Sequence, residues 1–160
     1  MGDYFYMKTT FQFTPDGFKK LQLEQEDLIN NKRPVAINRL TKARSMGDLS
    51  ENSEYSAAKE ELAFIEGRIK EVEELIKNAE IMDPSASDGV EIGSEVIVEK
   101  DGTEERFSIV GEFEADPLEK KLSSTSPIGQ ALLGKKLGDI VSVEVPVGTL
   151  KYKIKEIKQG

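Results

Sequence analysis

Tyr55, Ala58, Leu62, Ile65, Ile69, Val72, Ile76 and Ala79 follow one another at intervals of 3, 4, 3, 4, 3, 4 and 3 residues. That is a heptad seam, and a seam of this length needs a partner helix. At about 1.5 Å per residue such an arm runs roughly 38 Å. The partner face lies upstream. Phe18, Leu21 and Leu28 mark it, with polar Gln25 at the remaining seam position, and Ala36, Leu40 and Ala43 carry it on after Pro34. Leu28 to Ala36 is eight residues, so the seam moves by one position around the proline. Proline inside a helix removes a hydrogen bond and bends the axis, which predicts a kink or short break near residues 32–34. Ala36 and Ala43 are small enough to let the two arms approach closely.

The first arm opens at Thr14-Pro15-Asp16, with Thr14 as cap and Pro15 at the first helical position, where its missing N–H costs nothing. The chain reverses at Ser45-Met46-Gly47, and Gly47 supplies the permissive dihedral that ends the first arm. Asp48 or Ser50 is then expected to cap the second helix. That helix carries Gly67 at some cost in helicity and is expected to end near residues 78–82. Asp83-Pro84-Ser85-Ala86-Ser87-Asp88-Gly89 is a dense cluster of turn formers. Beyond it the period changes to two. Residues 95–99 and 106–110 read as strands joined through Asp101-Gly102, a strong hairpin signal. Residues 141–145 and 150–155 alternate in the same way, and Ser126-Pro127 opens a short helix that ends at Gly134. The fold class is therefore α+β. An antiparallel coiled-coil hairpin over 1–82, with its tip at 45–54, leads through a linker at 83–89 to a small domain at 90–160. That domain is a mostly antiparallel sheet with one short helix.

The 160 residues include no His, no Cys and no Trp. This excludes a Ser-His-Asp triad, a cysteine nucleophile and the usual zinc sites. The net charge of −8 argues against broad electrostatic binding of nucleic acid. No apolar run reaches membrane-spanning length, and residues 1–13 lack a signal-peptide core, so a cytoplasmic protein is expected. Met7 is a possible second start. The charge is uneven: Lys32, Arg33, Arg39, Lys42 and Arg44 fall in an acid-free stretch, whereas the second arm is mostly acidic. Two accounts stand side by side: complementary flanks across the hairpin, or a basic patch that touches a phosphate backbone.

Two acids sit at the tip. If the second helix starts there, the three-residue spacing of Asp48 and Glu51 puts both carboxylates on one side of its first turn. The same spacing is close to a capping box. The alternative is a metal site, since Mg²⁺ keeps several waters and commonly takes only one or two protein carboxylates. Two exposed carboxylates neither exclude water nor orient a substrate, so in a catalytic role they must complete another molecule's site. Glu54 is a third acid nearby, or a helix-dipole partner. Asn52 orients a carboxylate or fills the first turn, and Tyr55 starts the seam.

The run Gly47-Asp48-Leu49-Ser50-Glu51-Asn52-Ser53-Glu54-Tyr55, followed by Ala57-Ala58-Lys59 and Glu66-Gly67-Arg68-Ile69, resembles the GreA-type bacterial transcript cleavage factors. Ser126-Pro127-Ile128-Gly129, Ala131-Leu132-Leu133-Gly134 and Gly138-Asp139 match the same family in the same order. The resemblance covers nearly the whole chain after Met7. It implies an FKBP-like C-terminal domain that docks on the rim of the RNA polymerase secondary channel, with Ser126, Pro127, Ile128 and Gly129 at the docking surface. It also implies that the hairpin enters that channel. Asp48 and Glu51 then help hold the second Mg²⁺ and its water at the polymerase active site, which raises the polymerase's own hydrolysis of backtracked RNA. The resemblance further implies a chain that binds no cofactor alone and is not itself the enzyme.

The resemblance assigns Arg44, and after it Lys59, to contact with the RNA 3′ segment. Asn52, Glu54 and Tyr55 support the tip. The expected partners are bacterial RNA polymerase and the nascent RNA 3′ end, with no membrane and a monomeric chain. The acidic total charge is closer to GreA than to the more basic GreB branch. A channel-blocking inhibitor of the same architecture is the competing function. A prolyl isomerase is weaker, because the second domain offers only Phe107, Phe113 and Tyr152 as aromatics for an apolar pocket.

Overall fold

The computed structural model describes residues 10–47, 52–83 and 88–159. They form two compact units. One comprises residues 19–78, and the other joins residues up to Phe18 with those from Ala79 onward.

In the helical unit, α1 (Pro15–Asp27, whose first turn belongs to the other unit) runs through a π-helical turn at Leu28–Lys32 into α2 (Arg33–Arg44). The kink or break expected at the proline is this widened turn. The Arg33 N–H donates to the Leu28 carbonyl, five residues back. Pro34 has no N–H for an ordinary helical bond and its ring crowds the carbonyl four residues earlier. The π turn absorbs one extra residue at that point. This is why Leu28 and Ala36 are both buried although eight residues separate them.

α3 (Ser53–Lys77) returns alongside, a helix of 25 residues and roughly 38 Å. Its buried residues are Ala58, Ile65, Ile69, Val72 and Leu75. The expected seam therefore holds to Val72. Leu75 then takes the buried position, Ile76 is half-buried, and Ala79 lies beyond the helix. Asn78 is the C-cap, so the helix stops at the near edge of the expected range.

The other unit contains an element that period counting did not reveal. β1 (Phe11–Phe13) pairs in parallel with β2 (Ala79–Ile81), and the Met82 N–H extends the ladder to the Phe13 carbonyl at 2.8 Å. This pairing places the residues up to Phe18 and those from Ala79 onward in one unit with the sheet. Residues 84–87 of the expected linker lie outside the described residues. Five further strands follow: β3 (Ser94–Lys100), β4 (Thr103–Val110), β5 (Lys121–Ser123), β6 (Ile140–Val145) and β7 (Gly148–Gln159). Their order is β5-β4-β3-β7-β6, antiparallel except for β4 with β5. Asp101 and Gly102 both have positive φ, as a tight two-residue hairpin turn requires.

α4 (Pro127–Leu132) covers the inner face of this sheet through Leu132, which is fully buried with Val96, Val98, Ile109 and Ile154. Phe107 and Tyr152 meet edge to face at 6.5 Å inside this core. Phe113 packs on Phe11 and Phe13 with ring centroids at 5.2 and 6.3 Å. The three aromatics that a proline pocket would have needed are thus engaged in packing.

Candidate functional site

Asp48 and Glu51, together with Leu49 and Ser50, lie outside the described residues. The structure does describe the residues on either side of them. On the first side α2 closes with Ser45, whose Oγ donates to the Lys42 carbonyl at 2.7 Å, and Gly47 takes a φ of +117°. Met46 beside it is 72% exposed. On the second side the helix begins at Ser53, and its N-cap is Asn52, not Asp48 or Ser50 as expected. The Asn52 side-chain oxygen accepts from the Tyr55 N–H at 3.0 Å. Its amide nitrogen donates to the Ala43 carbonyl, in the last turn of α2, at 2.8 Å. One side chain thereby caps one helix and ties it to the end of the other. The cap position is filled by Asn52, and the helix begins at Ser53.

The other named tip residues divide by flank. Glu54 accepts from Arg39 Nε at 2.7 Å, and the same guanidinium also pairs with Glu61. The Arg39 hydrogen bond and charge hold the Glu54 carboxyl below its ordinary range, and both carboxylates raise Arg39. Glu54 is therefore committed to its own fold. Tyr55 is half-buried at the start of the seam, with the Lys59 ammonium 5.6 Å from its ring centroid. Arg44 is exposed in the last turn of α2, and among the described residues it forms no ion pair. Arg44 and Lys59 thus keep their charges available near the tip, as Glu54 does not.

The stretch 126–129 is built chiefly from local requirements. The Ser126 hydroxyl accepts from the Gly129 N–H at 3.1 Å and donates to the Ser123 carbonyl at 2.7 Å. A Cβ on Gly129 would lie 2.0 Å from that carbonyl oxygen. Pro127 is exposed at the first turn and Ile128 half-buried.

Arg39 and Arg68 appear in the sequence only as members of a basic stretch and of a motif, with no role of their own, yet they link the arms. Arg68 grips Glu24 with two bonds, Nε to Oε1 at 2.6 Å and Nη2 to Oε2 at 2.9 Å. Seam arithmetic would have found them. Glu24, Arg39, Glu54, Glu61 and Arg68 each immediately precede a seam residue: Gln25, Leu40, Tyr55, Leu62 and Ile69. Residues at equivalent flanking positions of antiparallel helices face one another. For Arg39 the account of complementary flanks is the one observed.

The family model for the N-terminal domain of transcription elongation factors matches residues 11–81, and the GreA/GreB C-terminal model matches residues 85–159. The chain therefore belongs to the GreA/GreB family of transcription elongation factors. It is 52% identical over 155 residues to the transcription elongation factor GreA of Lactococcus lactis, covering 94% of this chain and 99% of that protein. It is 51% identical over 150 residues to GreA of Thermoanaerobacter pseudethanolicus, covering 91% and 96%. Among solved structures, GreA factor homolog 1 of Thermus thermophilus aligns over 94% of this chain and 99% of that one at 28% identity, with a TM-score of 0.45.

Proposed function

We propose that the hairpin enters the secondary channel of bacterial RNA polymerase and brings Asp48 and Glu51 to the polymerase active site, where the polymerase itself hydrolyses backtracked RNA. The observation that carries this reading is the Asn52 clamp. It ties the start of α3 to the end of α2, on either side of the acid-bearing stretch, in a two-helix unit whose flank is locked by Arg39 and Arg68. Stiffness is what delivery of a charge to another molecule's active site needs.

The donor set fits a shared ion. Among the described residues no three acids are grouped to hold a metal. Two carboxylates suit Mg²⁺ when phosphate and water complete its shell. When bound there, the ion supplies Lewis-acid activation of the attacking water. Asp48 and Glu51 supply its carboxylate oxygens. Arg44 and Lys59 contact the RNA 3′ segment through its phosphates, and Glu54, paired with Arg39, holds the start of α3. The sheet unit docks at the channel rim with Pro127 as the exposed member of the 126–129 stretch. Among the described residues no helix is long and apolar enough to cross a membrane. On this reading the chain works as a monomer in the cytoplasm, where the polymerase is.

Stalled, backtracked elongation complexes test this reading directly. Adding the protein accelerates release of short 3′ RNA fragments. Slowed elongation without fragments would instead identify a channel-blocking inhibitor.

A further inference from the structure

Thr14 follows β1 and caps α1. Its Oγ accepts from the Gly17 N–H at 3.1 Å, and its carbonyl accepts from the Phe18 N–H at 3.0 Å. Gly17 is the third helical residue, the place where a capping box carries a Glu or Gln that binds the N–H of the cap residue itself. Glycine has no side chain for this. The carboxylate of Glu114, 100 positions away in sequence, takes the role: the Thr14 N–H donates to its Oε2 at 2.8 Å, and the Thr14 hydroxyl donates to its Oε1.

Glu114 also fills the space that a side chain at position 17 would need. A Cβ on Gly17 would lie 1.9 Å from Glu114 Oε1. The same carboxylate reaches back to its own turn, where the Gly111 N–H donates to Oε2 at 3.3 Å. That turn is pressed against β1, since a Cβ on Gly111 would lie 1.8 Å from the Gln12 carbonyl oxygen. One half-buried carboxylate thus completes the cap of α1 and the cap of the 111–114 turn.

Thr14, Gly17, Gly111 and Glu114 all belong to the sheet unit, whereas α1 runs on past Phe18 into the helical unit. An acid at position 17 would cap α1 from its own first turn. Importing the carboxylate from the turn after β4 does no more for the cap and requires two distant segments to be ordered together. What it adds is attachment of the first turn of α1 to the sheet unit.

We infer that Glu114 is a positioning residue for transcript cleavage: by completing the cap of α1 from the sheet unit, it couples that unit, docked on the polymerase, to the hairpin that carries Asp48 and Glu51. The inference rests on the cleavage reading above. Carboxylates delivered to another molecule's active site act only when well placed, and a misplacement of about 1 Å can cost about a hundredfold in rate.

The test uses three variants of the full chain. Glu114→Ala removes cap and attachment together. Adding Gly17→Glu to Glu114→Ala gives α1 a capping carboxylate of its own, in the space just vacated, without restoring the attachment. Glu114→Gln is nearly isosteric and keeps an oxygen for the N–H donors and an amide that donates to Thr14 Oγ. Thermal unfolding midpoints are measured, together with the half-saturating concentration and the maximal rate of fragment release on backtracked complexes. Rates are taken well below the lowest midpoint, where every variant is folded.

Glu114→Ala lowers the midpoint by about 3–10 °C, and Gly17→Glu recovers more than half of that loss. Both chains keep the half-saturating concentration within about twofold, because the 126–129 stretch is untouched. Both lose about tenfold or more in maximal rate, whereas Glu114→Gln stays within about threefold of the parent. A maximal rate that recovers along with the midpoint when Gly17→Glu is added overturns the inference, since Glu114 would then serve the cap alone. Failure of Gly17→Glu to recover the midpoint overturns it too, because the fold itself would then need the imported carboxylate. So does a loss seen only as a raised half-saturating concentration, which would assign Glu114 to docking. If the parent releases fragments and Glu114→Ala matches its maximal rate, only the Glu114 inference fails. If the parent releases none, the cleavage reading fails, and the maximal slowing of elongation by the same variants then decides whether Glu114 couples the units.

Discussion

Asn52 makes two bonds with one amide, and they are separable by mutation. Asn52→Ala removes both the cap on Tyr55 N–H and the tie to the Ala43 carbonyl. Loss of an N-cap costs about 1 kcal/mol, and loss of a neutral hydrogen bond about 1 kcal/mol more. The sum is about 2 kcal/mol, a large share of the stability of a small domain. Asn52→Asp keeps an oxygen to accept from Tyr55 and gains a favourable charge at the helix N-terminus, worth about 0.3–1 kcal/mol. It loses the tie and also sets a carboxylate oxygen against the Ala43 carbonyl, so the cap is kept while the hairpin end is pushed open.

Thermal unfolding of the full chain gives the totals, and amide exchange at Tyr55 resolves the parts. In Asn52→Ala the Tyr55 amide loses protection. In Asn52→Asp it stays protected while the hairpin end opens more easily. Loss of Tyr55 protection in Asn52→Asp would refute the division into cap and tie. No damage from either would refute the clamp altogether.

Glu54 sets a pH dependence. Arg39 holds its carboxyl below the ordinary value of 4.5. The depressed folded value means that its stabilising contribution is complete above 4.5 and is lost as pH falls through the lowered folded value. Unfolding midpoints measured down through this range should therefore fall, and Arg39→Gln should flatten that acid limb. A similar loss is expected in the sheet unit from Glu99, depressed by its bond to Lys155. Gly129→Ala places a Cβ 2.0 Å from the Ser123 carbonyl oxygen, which is backbone and cannot turn aside. It should cost about 1–3 kcal/mol in unfolding free energy, whereas Pro127→Ala at the exposed neighbour should cost under about 0.5 kcal/mol.

The long elements were legible because one periodicity ran through many residues. Ala58 to Val72 gave the seam, and the eight-residue step from Leu28 to Ala36 carried the π turn as an arithmetic irregularity whose geometry sequence did not specify. The sheet strands showed their alternation and Asp101-Gly102 its turn. The N-cap was harder. Asp48, Ser50 and Asn52 all have capping side chains, and local propensity does not rank them decisively. A bond to Ala43, nine residues away, accompanies the observed choice.

β1 and β2 were invisible for a related reason. Each has three residues, they lie 68 positions apart from Phe11 to Ala79, and a parallel pair leaves no hairpin signal between its strands. The Ser126-Pro127-Ile128-Gly129 stretch was read as a surface. Its two ends are fixed by the Ser126 cap and by Gly129 against a carbonyl, and neither contact is visible in a four-residue motif.

The most direct test of the central claim is the double variant Asp48→Asn, Glu51→Gln assayed on backtracked elongation complexes, with polymerase binding measured in parallel. The account predicts that binding is retained and the maximal rate of fragment release falls to that of polymerase alone. Fragment release at the parent's rate by the double variant would contradict it.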